Sequence, residues 1–226
     1  MYDPLVVDEF LSAYDEMVVK ANEAGEQART LTVPHTTIDS AAGSTAFDEI
    51  RAAAADGVVL SAARQNMTEA RNLEEVMSGL GQAVRQLTPS SVCAYFRYSS
   101  DSDDLLCDYV NNDKFHAFLG LQIRPGERVT GWVAANKQTI SNSDATLDLG
   151  QAALVVDPRP RCAVSTPVLG PQGDLHGVLT AYSPVADVFT HRHVYAFEQL
   201  ANCLGEHLSK IRPKVSKLVA FQQRHG

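Results

Sequence analysis

The spacing of apolar residues predicts helices at the start of the chain. The first helix opens at Asp3-Pro4 and keeps a helical apolar period to about residue 24. Residues 30–44 are rich in Pro, Gly, Ser and Thr and have no period, which indicates a linker. A second helical pattern runs from about Thr45 to residue 88, with a slip of phase near residue 70. Gly57 is a candidate break in this stretch.

Between residues 91 and 183 the apolar period changes to that of strands. Alternating positions rich in aromatic and β-branched residues predict strands, and two polar stretches, at residues 100–104 and 171–174, predict hairpin turns. Strands are expected near residues 91–99, 105–110, 121–125, 138–141, 162–170 and 175–183. Short helices are expected between them, at residues 112–120, 130–137 and 149–154.

A last helix begins after Thr190, which caps it, and its apolar stripe runs to residue 211. Pro213 is expected to stop or kink this helix. The order of helix, strands and helix predicts an antiparallel sheet with helices packed on it, an α+β domain.

Charge and composition narrow the functions that the chain can have. The 226 residues are 45% hydrophobic and carry a formal net charge of -8, which argues against binding to phosphate backbones of nucleic acids. The four cysteines form no CxxC pair, and we interpret them as reduced thiols. No apolar run approaches the roughly 20 residues that span a bilayer, so we expect a cytoplasmic protein that does not enter a membrane.

Motifs that carry chemistry are missing from the sequence. His191 and His193 are two residues apart and do not share a helix face, so no metal site is predicted. Ser165 lies in a strand pattern and not in a nucleophile elbow, and no glycine-rich phosphate loop is present. We therefore predict no catalytic residue and no metal ligand, and hence a protein that is not an enzyme.

Several segments between residues 120 and 201 together resemble the GAF family, which consists of sensory and regulatory domains. The residues that carry the resemblance are Arg124-Pro125-Gly126-Glu127, Thr130-Gly131-Trp132-Val133-Ala134, Gln138-Thr139-Ile140, Asn142-Ser143-Asp144, Ser165-Thr166-Pro167-Val168, Gly177-Val178-Leu179-Thr180-Ala181-Tyr182-Ser183, Phe189-Thr190 and Leu200-Ala201. The resemblance implies a six-stranded antiparallel sheet. Its N- and C-terminal helices would lie on one face, and loops and short helices of residues 111–160 would enclose a ligand pocket on the other.

The resemblance also directs the choice of ligand-binding candidates. Residues in elements expected to line the core or the pocket are Tyr95, Phe115, Phe118, Trp132, Asn142, Asp144 and Tyr182. Two other interpretations stay open: the aromatic residues can belong to the core, and the side chains of Asn142 and Asp144 can cap a turn. The ligand and any cofactor are unknown from the sequence, since neither the cyclic-nucleotide motif nor a bilin-linking cysteine is matched.

Residues 1–24 resemble the closing helix of HD-type phosphohydrolase domains. The expected organisation is an N-terminal helix and linker at 1–44, a connecting helix at 45–72, a GAF domain at 73–211 and a tail at 212–226. The leading hypothesis is a non-catalytic sensor in a bacterial-type signalling protein. The alternatives are a dimerisation module without a ligand and the remnant of an HD-type phosphohydrolase, as a fragment of a longer HD–GAF protein.

The helical stripes predict how the chain assembles. The helices at 58–88 and 190–211 carry apolar residues beyond what one sheet face can cover, and Leu60, Ala63 and Met67 precede the expected domain. Such a stripe is usually buried against a partner, so a homodimer is expected through these two helices. An intramolecular cover by residues 1–24 is the alternative.

Overall fold

The computed structural model describes residues 41–89 and 91–222, with side chains described for residues 48–89 and 91–210. Residues 49–226 form one compact unit and residues 1–48 a second. The helix expected at residues 3–24, the segment that resembles HD-type domains and most of the linker lie outside the described residues.

A six-stranded antiparallel sheet forms the centre of the larger unit, in the order β3-β2-β1-β6-β5-β4. The expected α+β fold and the six strands are confirmed. The strands are β1 (Val92–Ser99), β2 (Asp104–Val110), β3 (Gln122–Ile123), β4 (Ile140–Asp144), β5 (Cys162–Leu169) and β6 (Leu175–Ser183). The first strand, β1, and the last, β6, are neighbours at the centre of the sheet. Their pairing joins the hairpin of β1 and β2 to the hairpin of β5 and β6.

The helices confirm most of the expected elements. They are α1 (Ala41–Glu69), α2 (Leu73–Leu87), α3 (Arg128–Asn136), α4 (Thr146–Leu149), α5 (His191–Gln222) and two 3-10 helices (Asp113–Phe118 and Gly150–Leu154). The expected break at Gly57 is wrong, since α1 continues through it. A glycine inside a helix costs only about 1 kcal/mol relative to alanine, which a long helix tolerates.

The phase slip near residue 70 marks the real boundary between two helices. Asn72 caps α2, because its side chain accepts a hydrogen bond of 2.9 Å from the amide of Glu75. Residues 58–88 are therefore two helices and not one. At the other end, α5 continues to Gln222, so Pro213 does not stop it. A proline removes one helical hydrogen bond without always ending the helix.

The two faces of the sheet are covered differently, as the GAF resemblance implied. We call the side covered by α2 and α5 the helix face, and the side covered by the 3-10 helix Asp113–Phe118, α3 and α4 the loop face. Strands β1, β5 and β6 are buried almost throughout, so alternate residues of each strand enter two separate apolar cores.

The apolar stripe of α1 is covered within the chain. Ala63 and Met67 are only 3% and 2% exposed, and they join the helix-face core that contains Leu200 and Leu204 of α5. The expectation that this stripe is left free for a partner is therefore wrong. Among the side chains of α1 that are described, from residue 48 onward, the large apolar ones that remain exposed are Ile50 and Val58.

Candidate functional site

Three aromatic rings pack together on the loop face. The rings of Phe115 and Phe118 meet edge to face with centroids 5.4 Å apart, and the rings of Phe118 and Tyr182 do so at 5.5 Å. All three side chains are at most 4% exposed. The structure thus brings three of the seven predicted site residues into one cluster.

A buried carboxylate lies beside this cluster. Asp148, on α4, is fully buried, and its two carboxylate oxygens accept three hydrogen bonds. The backbone amide of Thr130 donates to one oxygen at 2.9 Å, while the Thr130 and Tyr182 hydroxyls both donate to the other at 2.6 Å. A buried carboxylate is tolerated only when such donors replace its water.

The polar network continues along the sheet. The hydroxyl oxygen of Thr180 lies 3.4 Å from that of Thr130, and it donates to Ser165 at 3.0 Å. These three side chains are fully buried as well. Neighbouring strands β5 and β6 place them side by side, since Ser165 pairs with Thr180 in the register. The result is a line of hydroxyls that ends at the carboxylate.

The surroundings of Tyr182 keep its hydroxyl protonated, so it remains a hydrogen-bond donor. Burial, and next the nearby charge of Asp148, raises the pKa of Tyr182 well above its ordinary value. The phenol therefore stays protonated and donates to the carboxylate. Arg128 also fixes the segment that carries Asp148, because its guanidinium donates to the backbone carbonyl of Asp148 at 2.7 Å.

The other predicted site residues lie elsewhere. Tyr95 belongs to the helix-face core, and its hydroxyl donates to the carbonyl of His176 at 2.9 Å. It therefore does not share a face with Phe118 and Tyr182. Trp132, on α3, is 38% exposed and lies outside the buried ring cluster.

The side chains of Asn142 and Asp144 hydrogen-bond within the protein, one over a long range and one within a turn. The Asn142 side chain donates to the carbonyl of Phe189 at 2.8 Å and accepts from the amide of Phe189 at 3.0 Å, which ties β4 to the start of α5. Asp144 accepts from the amide and the hydroxyl of Thr146 at 2.8 and 2.7 Å. The Asp144 contact is the turn cap that the sequence left open, whereas the Asn142 contact joins two segments 47 positions apart.

The polar centre of the loop face is not evident from the sequence. Asp148 and Thr130 were not among the predicted site residues, although Thr130 belongs to a segment that carries the GAF resemblance. Asp148 lies in a stretch with neither helical nor strand period, where a lone aspartate is typical of a solvated loop. Nothing in its local sequence distinguishes it from such an aspartate.

Two of the cysteines are buried in surroundings that keep their thiols protonated. Burial raises the pKa of the Cys107 thiol, on the loop face, to about 12, and it raises the pKa of Cys93 further still. Cys93 lies on the helix face and Cys107 on the loop face, so they face away from each other, and all four cysteines are free thiols. A thiol that stays protonated is a poor nucleophile.

Asp174, His176 and Ser209 lie together but do not have the geometry of a catalytic triad. Nε2 of His176 is 2.8 Å from the Ser209 hydroxyl and 3.4 Å from the Asp174 carboxylate, so both neighbours meet the same ring nitrogen. A catalytic histidine uses one nitrogen for the nucleophile and the other for the acid. The Ser209 hydroxyl also donates to the carbonyl of Gly205 at 2.8 Å.

The described residues contain neither a metal cluster nor a membrane-spanning helix. Among them, no cluster of three or more His, Cys, Asp or Glu side chains could hold a metal ion. Likewise, no helix in the described part of the chain is both long and apolar enough to cross a membrane.

Comparisons with known proteins agree with this architecture. The GAF domain of a phosphoenolpyruvate-protein phosphotransferase from Coxiella burnetii has a TM-score of 0.62 and 20% identity, over 73% of this chain and 98% of its own. A GAF sensor protein from Burkholderia vietnamiensis has a TM-score of 0.57 and 19% identity, over 82% and 99%. No curated protein sequence gave a significant match.

An enzyme has the same fold. Free methionine-R-sulfoxide reductase from Neisseria meningitidis, solved with its substrate, has a TM-score of 0.57 and 18% identity, over 72% of this chain and 93% of its own. At this identity the likeness shows the fold alone. The sequence model of the GAF domain matches residues 70–209. This chain therefore belongs to the GAF domain family.

Proposed function

We propose that this chain is a non-catalytic regulatory GAF domain of a signalling protein, which binds a small molecule on its loop face. The observation that carries the proposal is the buried carboxylate of Asp148 among three aromatic rings and a line of hydroxyls. Small-molecule sites are mostly apolar with a few precisely placed polar groups, and this is the composition found here.

The hydrogen bonds suggest which ligand chemistry fits. Asp148 accepts from Thr130 and Tyr182, so a ligand carrying an amine or amide donor could replace either hydroxyl at the carboxylate. The ring cluster supplies apolar and edge-to-face contacts for a planar ligand. Trp132, at the exposed side of α3, is the only tryptophan and provides a fluorescent reporter.

The loop face is packed in the described state, so binding requires movement. Phe118 and Tyr182 have almost no exposed surface, and α4 carries Asp148 itself. An incoming ligand would displace α4 or the 3-10 helix Asp113–Phe118. A ligand can shift such an equilibrium only by its difference in affinity for the two states.

The sheet offers a route from the loop face to the helices. In β6, Tyr182 points to the loop face while its neighbour Ala181 packs in the helix-face core with α2 and α5. A movement of Tyr182 would therefore shift β6 and alter the packing of Ala181 against α5. The helices would in this way relay a change at the loop face.

The absence of catalysis is supported by the chemistry of the nucleophile candidates. Because methionine sulfoxide reductases share this fold, a reactive cysteine is the feature to look for. The thiol on the loop face, Cys107, is only 1% exposed, and burial raises its pKa. Ser209 lacks a histidine held in the orientation of a general base. We expect purified protein to leave free methionine sulfoxide unchanged and to show no hydrolysis of cyclic dinucleotides with added manganese.

A second candidate function is a dimerisation module without a ligand. It is favoured by the closed loop face, whose polar groups already satisfy each other. Val58, which is 71% exposed on α1, marks the surface that a partner copy would cover. Light scattering of the wild type and Val58→Asp tests this: a dimer that Val58→Asp dissociates supports the module, and a wild-type monomer excludes it.

Leu204 is unsuitable for that assembly test, although its stripe predicted a dimer contact. It is fully buried in the helix-face core, so Leu204→Asp would unfold the domain and not simply separate two copies.

The ligand proposal is tested by a thermal-shift screen of small metabolites, because a ligand that binds only the folded state raises the melting temperature. Hits are then measured on Asp148→Asn, which keeps the shape of the side chain but removes its charge. A hit whose stabilisation is lost in Asp148→Asn supports the loop-face site. A hit that stabilises both proteins equally places the site elsewhere.

A further inference from the structure

A cleft on the other side of the sheet gathers positive charge. It lies between the C-terminal half of α1 and α5, has a volume of about 240 Å³, and is lined by nine residues. Four of them carry basic side chains: Arg64, Arg71, His207 and Lys210. We call this site the basic cleft.

The concentration of basic groups runs against the charge of the whole protein. The chain has a net charge of -8, yet Glu206 is the sole acidic residue that lines the basic cleft. Its carboxylate is 3.8 Å from the Arg64 guanidinium, and both side chains are more than half exposed. A contact of that length at an exposed position contributes little, so Glu206 neutralises the cleft only in part.

The floor of the cleft is apolar and its rim is charged. Met67 is 2% exposed and Cys203 is partly buried, whereas Arg64, Arg71 and Lys210 are exposed around them. Burial, and next the charge of Lys210, lowers the pKa of His207, so the imidazole is favoured in its neutral form, which still carries one N–H donor.

We propose that the basic cleft binds a small phosphate-bearing anion. Guanidinium groups bind phosphate through paired, charge-assisted hydrogen bonds, and a lysine adds a compact charge. A volume of about 240 Å³ accommodates a phosphate group but lies below the range of drug-sized ligands. The site is distinct from the loop face, because the sheet and the helix-face core separate them.

A neighbouring cleft could hold the rest of a larger molecule whose phosphate lies in the basic cleft. It has a volume of about 910 Å³ and shares Arg64, Cys203, Glu206 and Lys210 with the basic cleft. Gln199 and Asn202 line it with amide groups that can both donate and accept. The phosphate of a small metabolite would lie in the basic cleft and its polar remainder in the second one.

The position of the anion connects binding to regulation. Arg64 and Arg71 come from α1 and the following turn, whereas His207 and Lys210 come from α5. A bound phosphate would link the two segments by opposite charge. It would thereby stabilise one arrangement of the helices that a signal relay would use.

The test measures melting temperature in inorganic phosphate against sodium chloride of equal ionic strength. A second arm uses glycerol 3-phosphate, to distinguish a free phosphate from a phosphorylated metabolite. We expect saturable stabilisation of the wild type. Tighter binding of the ester assigns the site to a phosphorylated metabolite, and equal binding assigns it to free phosphate.

Three charge variants make the test specific. Arg71→Gln and Lys210→Gln each remove a charged donor from the rim and should weaken binding about tenfold or more. Glu206→Gln removes the competing acid and should tighten binding about two- to fivefold, which loss of folding cannot imitate. Arg124→Gln, an exposed arginine just after β3, makes the same change of charge elsewhere and should bind as the wild type does.

Two results would overturn the proposal. One is a wild type that responds to phosphate no more than to chloride. The other is binding that Arg71→Gln, Lys210→Gln and Glu206→Gln leave unchanged relative to Arg124→Gln. Far-ultraviolet circular dichroism of each variant confirms that it is folded, which is expected because all four side chains are exposed.

Discussion

Replacing Tyr182 by Phe isolates one hydrogen bond of the buried polar network. The substitution removes the hydroxyl that donates to Asp148 at 2.6 Å and keeps the ring that packs on Phe118. Asp148 then remains fully buried with one hydrogen-bond donor fewer. Only one oxygen atom is removed, so the loss of stability does not come from a cavity in the core.

The magnitude follows from the charge of the acceptor. A hydrogen bond to a charged group contributes about 1.5–3 kcal/mol, against about 1 kcal/mol for a neutral pair. We therefore expect Tyr182→Phe to lower the free energy of unfolding by about 2 kcal/mol. In a domain of this size that corresponds to a fall in melting temperature of about 4–8 °C.

Urea unfolding provides the measurement, and Tyr98→Phe is its matched control. The Tyr98 hydroxyl donates to Asp103 at 2.8 Å, so the chemistry is the same, but that bond is at the surface. A surface change of this kind is expected to cost less than about 0.5 kcal/mol. Equal losses in the two variants would refute the claim that the Asp148 carboxylate is buried and depends on its donors.

A double-mutant cycle sharpens the result. The hydroxyls of Thr130 and Tyr182 donate to the same oxygen of Asp148, so Thr130→Val and Tyr182→Phe should not be additive. Additive losses would mean that the two hydroxyls act independently and that no shared network exists.

Three further predictions concern the rest of the fold. Gly57→Ala should stabilise the protein by about 0.5–1 kcal/mol, since no atom would crowd the new methyl group. Gly205→Ala should destabilise the protein, because the methyl group would collide with the carbonyl of Leu169, and urea unfolding measures both effects. Alkylation of the native protein should modify Cys203 first, because the other three thiols are buried, and Cys203→Ser should remove this fast phase. The free energy of unfolding should fall as the pH rises from 9.0 toward about 12, because the thiol of Cys107 ionises at a lower pH in the unfolded chain than in the folded one. Cys107→Ala should make that fall less steep, and urea unfolding across this pH range measures the difference.

Much of the fold could be predicted because its signals are local. The alternating strands, the two polar turns and the last helix depend on residues close in sequence, and the structure confirms them. Gly57 was misread because a glycine in a long helix costs little and leaves no other trace. The free stripe at Ala63 and Met67 was misread because the residues that cover it, on α5, are more than 100 positions away.

The candidate site was harder to predict for a physical reason. In β1 both faces are buried, so the alternation of Tyr95 and Phe96 does not reveal which of them faces the loops. The role of Asp148 depends on contacts with Thr130 and Tyr182, which are 18 and 34 positions away. Only the folded chain brings these three side chains together.

The central claim is a loop-face site that binds a small molecule without changing it. Calorimetric titration of the best ligand from the thermal-shift screen tests it most directly, with the ligand analysed chemically afterwards. We predict binding that Asp148→Asn weakens at least about tenfold, that Tyr98→Phe leaves unchanged, and after which the ligand is recovered intact. Equal affinity in the wild type and Asp148→Asn, or a ligand converted to product by the wild type, would contradict the account.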